Sequence, residues 1–132
     1  MILSFNKENI EKRNFKEKIL NGTKIHTIRE DKHNRWKETM SIQFYAMNPR
    51  NGGKKFAEGI VDKVTRIEID TSSNKVYFPE FNRDRNMCCM SNPMILDDLA
   101  KCDGFESWEE MKEFFPEYFE GKIIYWILND RS

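Results

Sequence analysis

Asn21-Gly22-Thr23-Lys24-Ile25-His26-Thr27-Ile28-Arg29 is the stretch on which the reading of this chain turns. It starts where an amphipathic helix has to stop and runs into a short β-favouring segment. Glycine takes a positive φ without strain, so Gly22 reads as the cap that ends the helix after Leu20 and Asn21. Lys24, His26, Thr27 and Arg29 follow in close order. Along a regular strand Thr27 and Arg29 share a face, and Lys24 lies on the other. Lys24 therefore meets Thr27 only from the turn, before the strand proper begins. The same residues also fit a solvated helix-to-strand connection with no chemistry attached.

Working outward, Met1 to Phe5 reads as a first strand with Ile2, Leu3 and Phe5 as its apolar members. Asn6 or Asn9 caps the helix that follows. Ile10, Phe15, Ile19 and Leu20 form one apolar stripe at helical spacing, and that stripe is expected in the core. Arg29 to Lys37 is a polar loop, with Trp36 the exception. Met40 to Met47 reads as a strand, and Asn48 to Gly53 as a turn-rich break. Lys54 to Ile69 has strand patterning that loses its alternation, which predicts a bulge near Asp62-Lys63. Thr71 to Asn74 turns into a strand over Lys75 to Phe78. Met87-Cys88-Cys89-Met90 is soft and apolar, suited to packing under a loop. Ser91 or Asn92 caps a short helix with Pro93 in its first turn and Leu96, Leu99 and Ala100 on its apolar side. Gly104 breaks the chain. Ser107 and Glu110 make a capping box for a helix through Phe115, which Pro116 stops. Gly121 turns into a closing strand, Lys122 to Leu128. This order predicts an α+β fold, a curved and mainly antiparallel sheet or barrel with flanking helices, as one domain over 1–132.

A third of the residues are charged and 39% are hydrophobic, which fits a globular chain rather than a disordered one. No apolar run approaches the roughly 20 residues that span a bilayer. The N-terminus lacks a basic region followed by an apolar one, so a cytoplasmic protein is expected, with no membrane contact. Three cysteines, two of them adjacent, make neither a disulfide framework nor a zinc pattern. No metal or cofactor is expected, and nothing marks an obligate protein partner. The net charge of zero hides a split: residues 1–66 hold 15 Lys and Arg against 8 Asp and Glu, and residues 67–132 hold 7 against 14. One basic face is then possible if the halves segregate. A neutral chain is nevertheless a poor fit to strong, sequence-independent binding of nucleic acid.

Gly22, Lys24, Thr27 and Arg29 reproduce a G-x-K-x-x-T-x-R signature. In this the chain resembles the ASCH family, relatives of the PUA-like RNA-binding barrels. The resemblance continues in order through the helix before Leu20, Arg35-Trp36-Lys37, the strand run Ile60 to Ile69, Leu99-Ala100 leading to Asp103-Gly104-Phe105, and the last strand. It covers nearly the whole chain and implies a PUA-like β-barrel. The bacterial members that hydrolyse 4-acetylcytidine are similar here and use a lysine, a threonine and a glutamate. Their lysine and threonine fall on Lys24 and Thr27, and their glutamate falls nearest Asp103. Asp is a methylene shorter than Glu, and a misplacement of about 1 Å costs roughly a hundredfold in rate.

The residues themselves support that chemistry under conditions. A threonine hydroxyl needs a base within reach, and a lysine serves only if its pKa is lowered by burial or by neighbouring cations. Three readings follow. In the first, Lys24, Thr27 and Asp103 hydrolyse an amide on a modified nucleoside, with no metal, while Arg29 or a backbone N–H holds the oxyanion and Trp36, Phe44 or Tyr45 stacks on the base. In the second, Lys24, Arg29 and Arg35 hold the phosphates of RNA without catalysis. In the third, implied by ribonuclease relatives, the same basic cleft cleaves RNA. Against these stand plain structural roles: Asp103 as a turn residue before Gly104, and Trp36 as core. His26 and His33 show no partner in the sequence.

Overall fold

The structure is a computed structural model that describes residues 1–79 and 89–129. It is an α+β fold built on one mixed sheet that is not closed. β1 (Ile2–Phe5) buries Leu3 and Phe5 and pairs in parallel with β3 (Ser41–Ala46). Every other ladder is antiparallel, as alternating burial along short connections favours. The spine is β4 (Lys54–Asp70), which pairs along one edge with β3 near its start and with β5 (Lys75–Tyr77) near its end. Its other edge takes β7 (Tyr118–Leu128), and β7 in turn takes β2 (His26–Arg29). β6 (Cys89–Met90) adds to β5. No ladder joins β1 to β2 among the described residues, and these two strands leave a gap. The predicted bulge in β4 is present, as a register shift between Val61 and Lys63 opposite β7.

Several boundaries differ from the sequence reading. The first helix is two, α1 (Lys7–Glu11) and α2 (Phe15–Leu20), because Asn14 sits at φ 56° and ends any continuous ladder. Asn6 is the cap of α1, accepting from the Asn9 N–H at 2.8 Å. Within α2, Phe15 and Ile19 stand one turn apart on the buried face, while Leu20 is exposed. α3 (Pro93–Cys102) starts at Asn92, as expected, with Pro93 in its first turn. α4 (Trp108–Lys112) ends before Phe115, and only half of its capping box forms. Ser107 accepts from Glu110 N–H, but the Glu110 carboxylate accepts from Glu106 N–H instead of Ser107. Gly121 does not turn. It lies within β7 opposite Ile67, where a Cβ would come within 2.5 Å of the Arg29 carbonyl. Glycine there is what lets β2 and β7 run side by side. Of the Met87 to Met90 run, Met87 and Cys88 lie outside the described residues, and Met90 packs against the core.

One cluster of buried side chains fills the space between sheet and helices. It includes Leu3, Phe44, Ile67 and Ile123 from the strands and Phe15, Leu96 and Met111 from the helices. Each such side chain contributes about 1.5–3 kcal/mol of transfer free energy. Among the described residues no helix is long and apolar enough to cross a membrane. What matters for the site is the gap between β1 and β2, over which α2 and the segment after α3 close.

Candidate functional site

Gly22 has φ +83°, and the chain reverses after α2 as its glycine predicts. The Asn21 side chain accepts from Thr23 N–H at 2.9 Å, and Lys24 N–H returns to the Lys18 carbonyl at 2.9 Å. Ile25 N–H then bonds the Cys102 carbonyl at 2.9 Å, which docks residues 24–26 on the end of α3. Lys24 is thus in the turn, before β2 begins, and its side chain runs inward to 1% exposure. Asp103, 79 positions later, is the C-cap of α3 and is 4% exposed.

The lysine head is enclosed by acceptors. Lys24 Nζ donates to the His26 carbonyl at 2.8 Å and to the Asp103 carbonyl at 2.5 Å, and lies 3.4 Å from Asp103 Oδ1. The closest grip of Asp103 on the lysine is therefore by its main chain, and the carboxylate stands further off. That carboxylate accepts from a second neighbour: His26 Nδ1 is 2.9 Å from the same Oδ1. Aromatic faces complete the enclosure, with Nζ 4.5 Å from the Phe15 ring centroid and 5.6 Å from Phe5. Gly104 makes this possible, for at φ +101° its missing Cβ leaves room for the Lys24 stem and the Phe15 ring. Lys18 from α2 seals the outside by donating to the Gly104 carbonyl at 2.6 Å.

Burial pushes the Lys24 ammonium down to about 8. Asp103 opposes that fall, and Arg29 adds to it. Desolvation wins over the carboxylate because the charge has almost no contact with water. The Arg29 guanidinium is also pushed down by burial, with Asp103 acting in the other direction. Arg29 lies over the Phe5 ring at 5.3 Å and donates to the Ser4 carbonyl at 3.2 Å, so it bridges the gap between β2 and β1.

These groups floor a cleft of about 590 Å³, within the range of small-molecule sites. Lys24, Thr27, Arg29 and Asp103 line it together with the rings of Phe5, Phe15, Phe105, Phe114 and Phe115. Asn6, Asn9, Asn48 and Asn51 supply amides at its rim, and Lys7 a cation. Four of the sequence-derived site residues thus meet in one place. Gly22 shapes the turn without lining the cleft.

Trp36 and Arg35 do not join them. Asp31 Oδ1 accepts from Arg35 N–H at 2.7 Å and Oδ2 accepts from Trp36 N–H at 3.2 Å, which folds the 31–36 loop back on the sheet. Trp36 enters the core at 9% exposure, and Arg35 faces outward. Phe44 is wholly buried. The rings that do line the cleft come from β1, from α2 and from the segments around α4, where sequence showed only apolar packing. His26 was equally unmarked in sequence, because its partner is 77 positions away. Among the described residues no group of three or more His, Cys, Asp or Glu is placed to hold a metal ion. Comparison with protein-family models, with curated proteins and with solved structures gives no match to this chain.

Proposed function

We propose that the chain is an ASCH-type, PUA-like protein whose cleft binds a modified nucleoside, free or within RNA, and hydrolyses an amide on its base, as in 4-acetylcytidine. The observation that carries this reading is a lysine with its pKa lowered to about 8, buried beside Asp103 beneath a cleft that Thr27 also lines. A lysine with that pKa is neutral in about a tenth of molecules at pH 7, enough to act as a base. Its neutral amine keeps the two short bonds to carbonyl oxygens and gives up the long one to Asp103 Oδ1. To take the Thr27 proton the freed lone pair turns from Asp103 Oδ1 toward Thr27, whose side chain lines the same cleft.

In the reaction, Thr27 Oγ attacks the acetyl carbonyl carbon and its proton passes to Lys24 Nζ. Arg29 faces the oxyanion. Collapse breaks the bond from the acetyl carbon to the exocyclic nitrogen, which takes the proton from Lys24 and leaves as the cytidine amine. Water then attacks the acetyl-threonine, Lys24 takes one of its protons and passes it to Thr27 Oγ, and acetic acid departs and ionises to acetate in solvent. The phenylalanine side chains that line the cleft offer apolar contact to the base and the rim amides offer partners for its edge.

A second reading, RNA binding without catalysis, draws on the cations. Lys7, Lys24 and Arg29 line the cleft against one carboxylate, Asp103. Among the described residues the Arg29 guanidinium makes one hydrogen bond, which leaves donors for a phosphate. The experiment is incubation with 4-acetylcytidine and chromatography of the products, for the parent, Lys24→Ala and Thr27→Ala. Cytidine and acetate from the parent alone support the hydrolase. No turnover by folded parent protein, with binding of short RNA that Arg29→Gln weakens, supports the second reading instead.

A further inference from the structure

The imidazole of His26 has no part in the chemistry just described, yet it is 1% exposed and bonded to the carboxylate beside the lysine. Its ring stands edge-on to Tyr125 at 5.0 Å on the far side from the cleft. There it borders a separate shallow groove with Cys102 and Leu99, whereas Asp103 lines the cleft itself. Asp103 thus separates two compartments and is held from both.

From this geometry we infer that His26 is a positioning residue for the site, whose Nδ1–H anchors the Asp103 carboxylate and so keeps Lys24 free to exchange a proton. The inference rests on the hydrolase reading for its effect on rate, but not for its effect on Lys24. A carboxylate is an acceptor only, so the hydrogen of the 2.9 Å contact belongs to Nδ1. The same residue holds the lysine through its main chain, where the His26 carbonyl accepts from Nζ at 2.8 Å. His26 therefore fixes both partners of the ion pair: the lysine by its backbone and the carboxylate by its ring.

The separation within the pair shows what the ring does. At 3.4 Å the Lys24 to Asp103 Oδ1 contact is long for a charge-assisted bond, while the bond to histidine is of ordinary length. Without the imidazole the nearest donor to the buried carboxylate is Lys24, already 3.4 Å from Oδ1. Rotation of Asp103 onto Nζ would shorten that contact and favour the ammonium. The other groups facing Lys24 are Arg29 from β2 and Lys18 from α2, both cations. On the outer side of His26 the titratable groups are Tyr125 from β7 and Cys102 and Asp98 from α3. Burial first, then neighbouring acidic groups, keeps the Cys102 thiol and the Tyr125 phenol protonated above their ordinary range, so neither supplies charge near pH 8.

The test compares His26→Ala and His26→Asn with the parent. The asparagine amide places an N–H close to where Nδ1–H stands, and alanine removes it. Two readouts are taken: the pH profile of kcat/KM on 4-acetylcytidine, and the titration of the Lys24 side chain by NMR, assigned by its loss in Lys24→Ala. In His26→Ala the Lys24 midpoint is expected to rise by about one pH unit and the rate at pH 7 to fall about tenfold, since each unit is a factor of ten in the neutral fraction. In His26→Asn both are expected to return to within about threefold of the parent. A folded His26→Ala with an unmoved Lys24 titration overturns the inference, whatever the rates. A shifted titration in a protein whose parent shows no turnover upholds it and removes the hydrolase reading. Failure of His26→Ala to fold leaves His26→Asn and His26→Gln to decide. Gln places its amide near the other ring nitrogen, and a Lys24 titration that Asn and Gln preserve equally also overturns the inference.

Discussion

Lys24 shows how a charge becomes a tool through burial. Its Nζ has three oxygen neighbours, a number that matches the three donors of an ammonium, yet desolvation and Arg29 bring the midpoint down to about 8. If the neutral amine is the base, kcat/KM rises about tenfold per unit below that midpoint and levels above it. A pH–rate profile checks this, and a plateau that extends down to pH 6 would exclude Lys24 as the base. Asp103 is the other half of the arrangement. Removing its carboxylate in Asp103→Ala leaves a buried ammonium and a buried imidazole N–H without their shared acceptor. Breaking a buried pair from one side costs about 3–5 kcal/mol, to be read as a lowered midpoint in urea denaturation. The motif Gly22, Lys24, Thr27 and Arg29 was legible in sequence because its members are neighbours there. Its union with Asp103 came from resemblance alone. The His26 to Asp103 bond spans 77 positions and left no local trace.

Elements place these residues, and two short connections matter most. The turn after α2 and the cap of α3 dock by the Ile25 N–H to Cys102 carbonyl bond, which sets the lysine against Asp103. Gly104 is the narrow point: a Cβ there would lie 2.8 Å from Phe15 Cε1 and 2.9 Å from Lys24 Cδ, at a φ of +101°. Gly104→Ala is expected to cost about 1–3 kcal/mol in backbone strain alone, and to displace Lys24 as well. Thermal denaturation together with turnover checks it, and a variant with parental values in both would contradict the packing described. Helix and strand types followed from periodicity, and so did the β4 bulge, because burial pattern and register are two views of one alternation. The break at Asn14 has no signature in the periodicity, since an αL asparagine carries no periodic signal. Trp36 gives a misleading local signal for a related reason. Its neighbours in sequence are polar, but the Asp31 bonds fold the loop and turn the ring inward.

Across the whole molecule the sheet is open between β1 and β2, and the cleft occupies that opening, bridged by Arg29 to Ser4. Opposite charges balance to zero over the chain, so net charge by itself gathers no long polyanion. Of the cations lining the cleft, Lys24 is committed to internal acceptors, which leaves Lys7 and Arg29 for phosphate. Two such contacts predict a salt slope of about −1.4 in log Kobs for single-stranded RNA, measurable by titration at several salt concentrations. A slope several times steeper would mean a wider basic surface than the cleft provides. The most direct measurement is a crystal structure of Thr27→Val with intact 4-acetylcytidine bound. The expected result puts the base among the phenylalanine rings, the acetyl carbon about 3–3.5 Å from the position of the missing hydroxyl, and the acetyl oxygen toward Arg29. Ligand bound elsewhere, or with its acetyl group turned away from Lys24 and residue 27, would contradict the account.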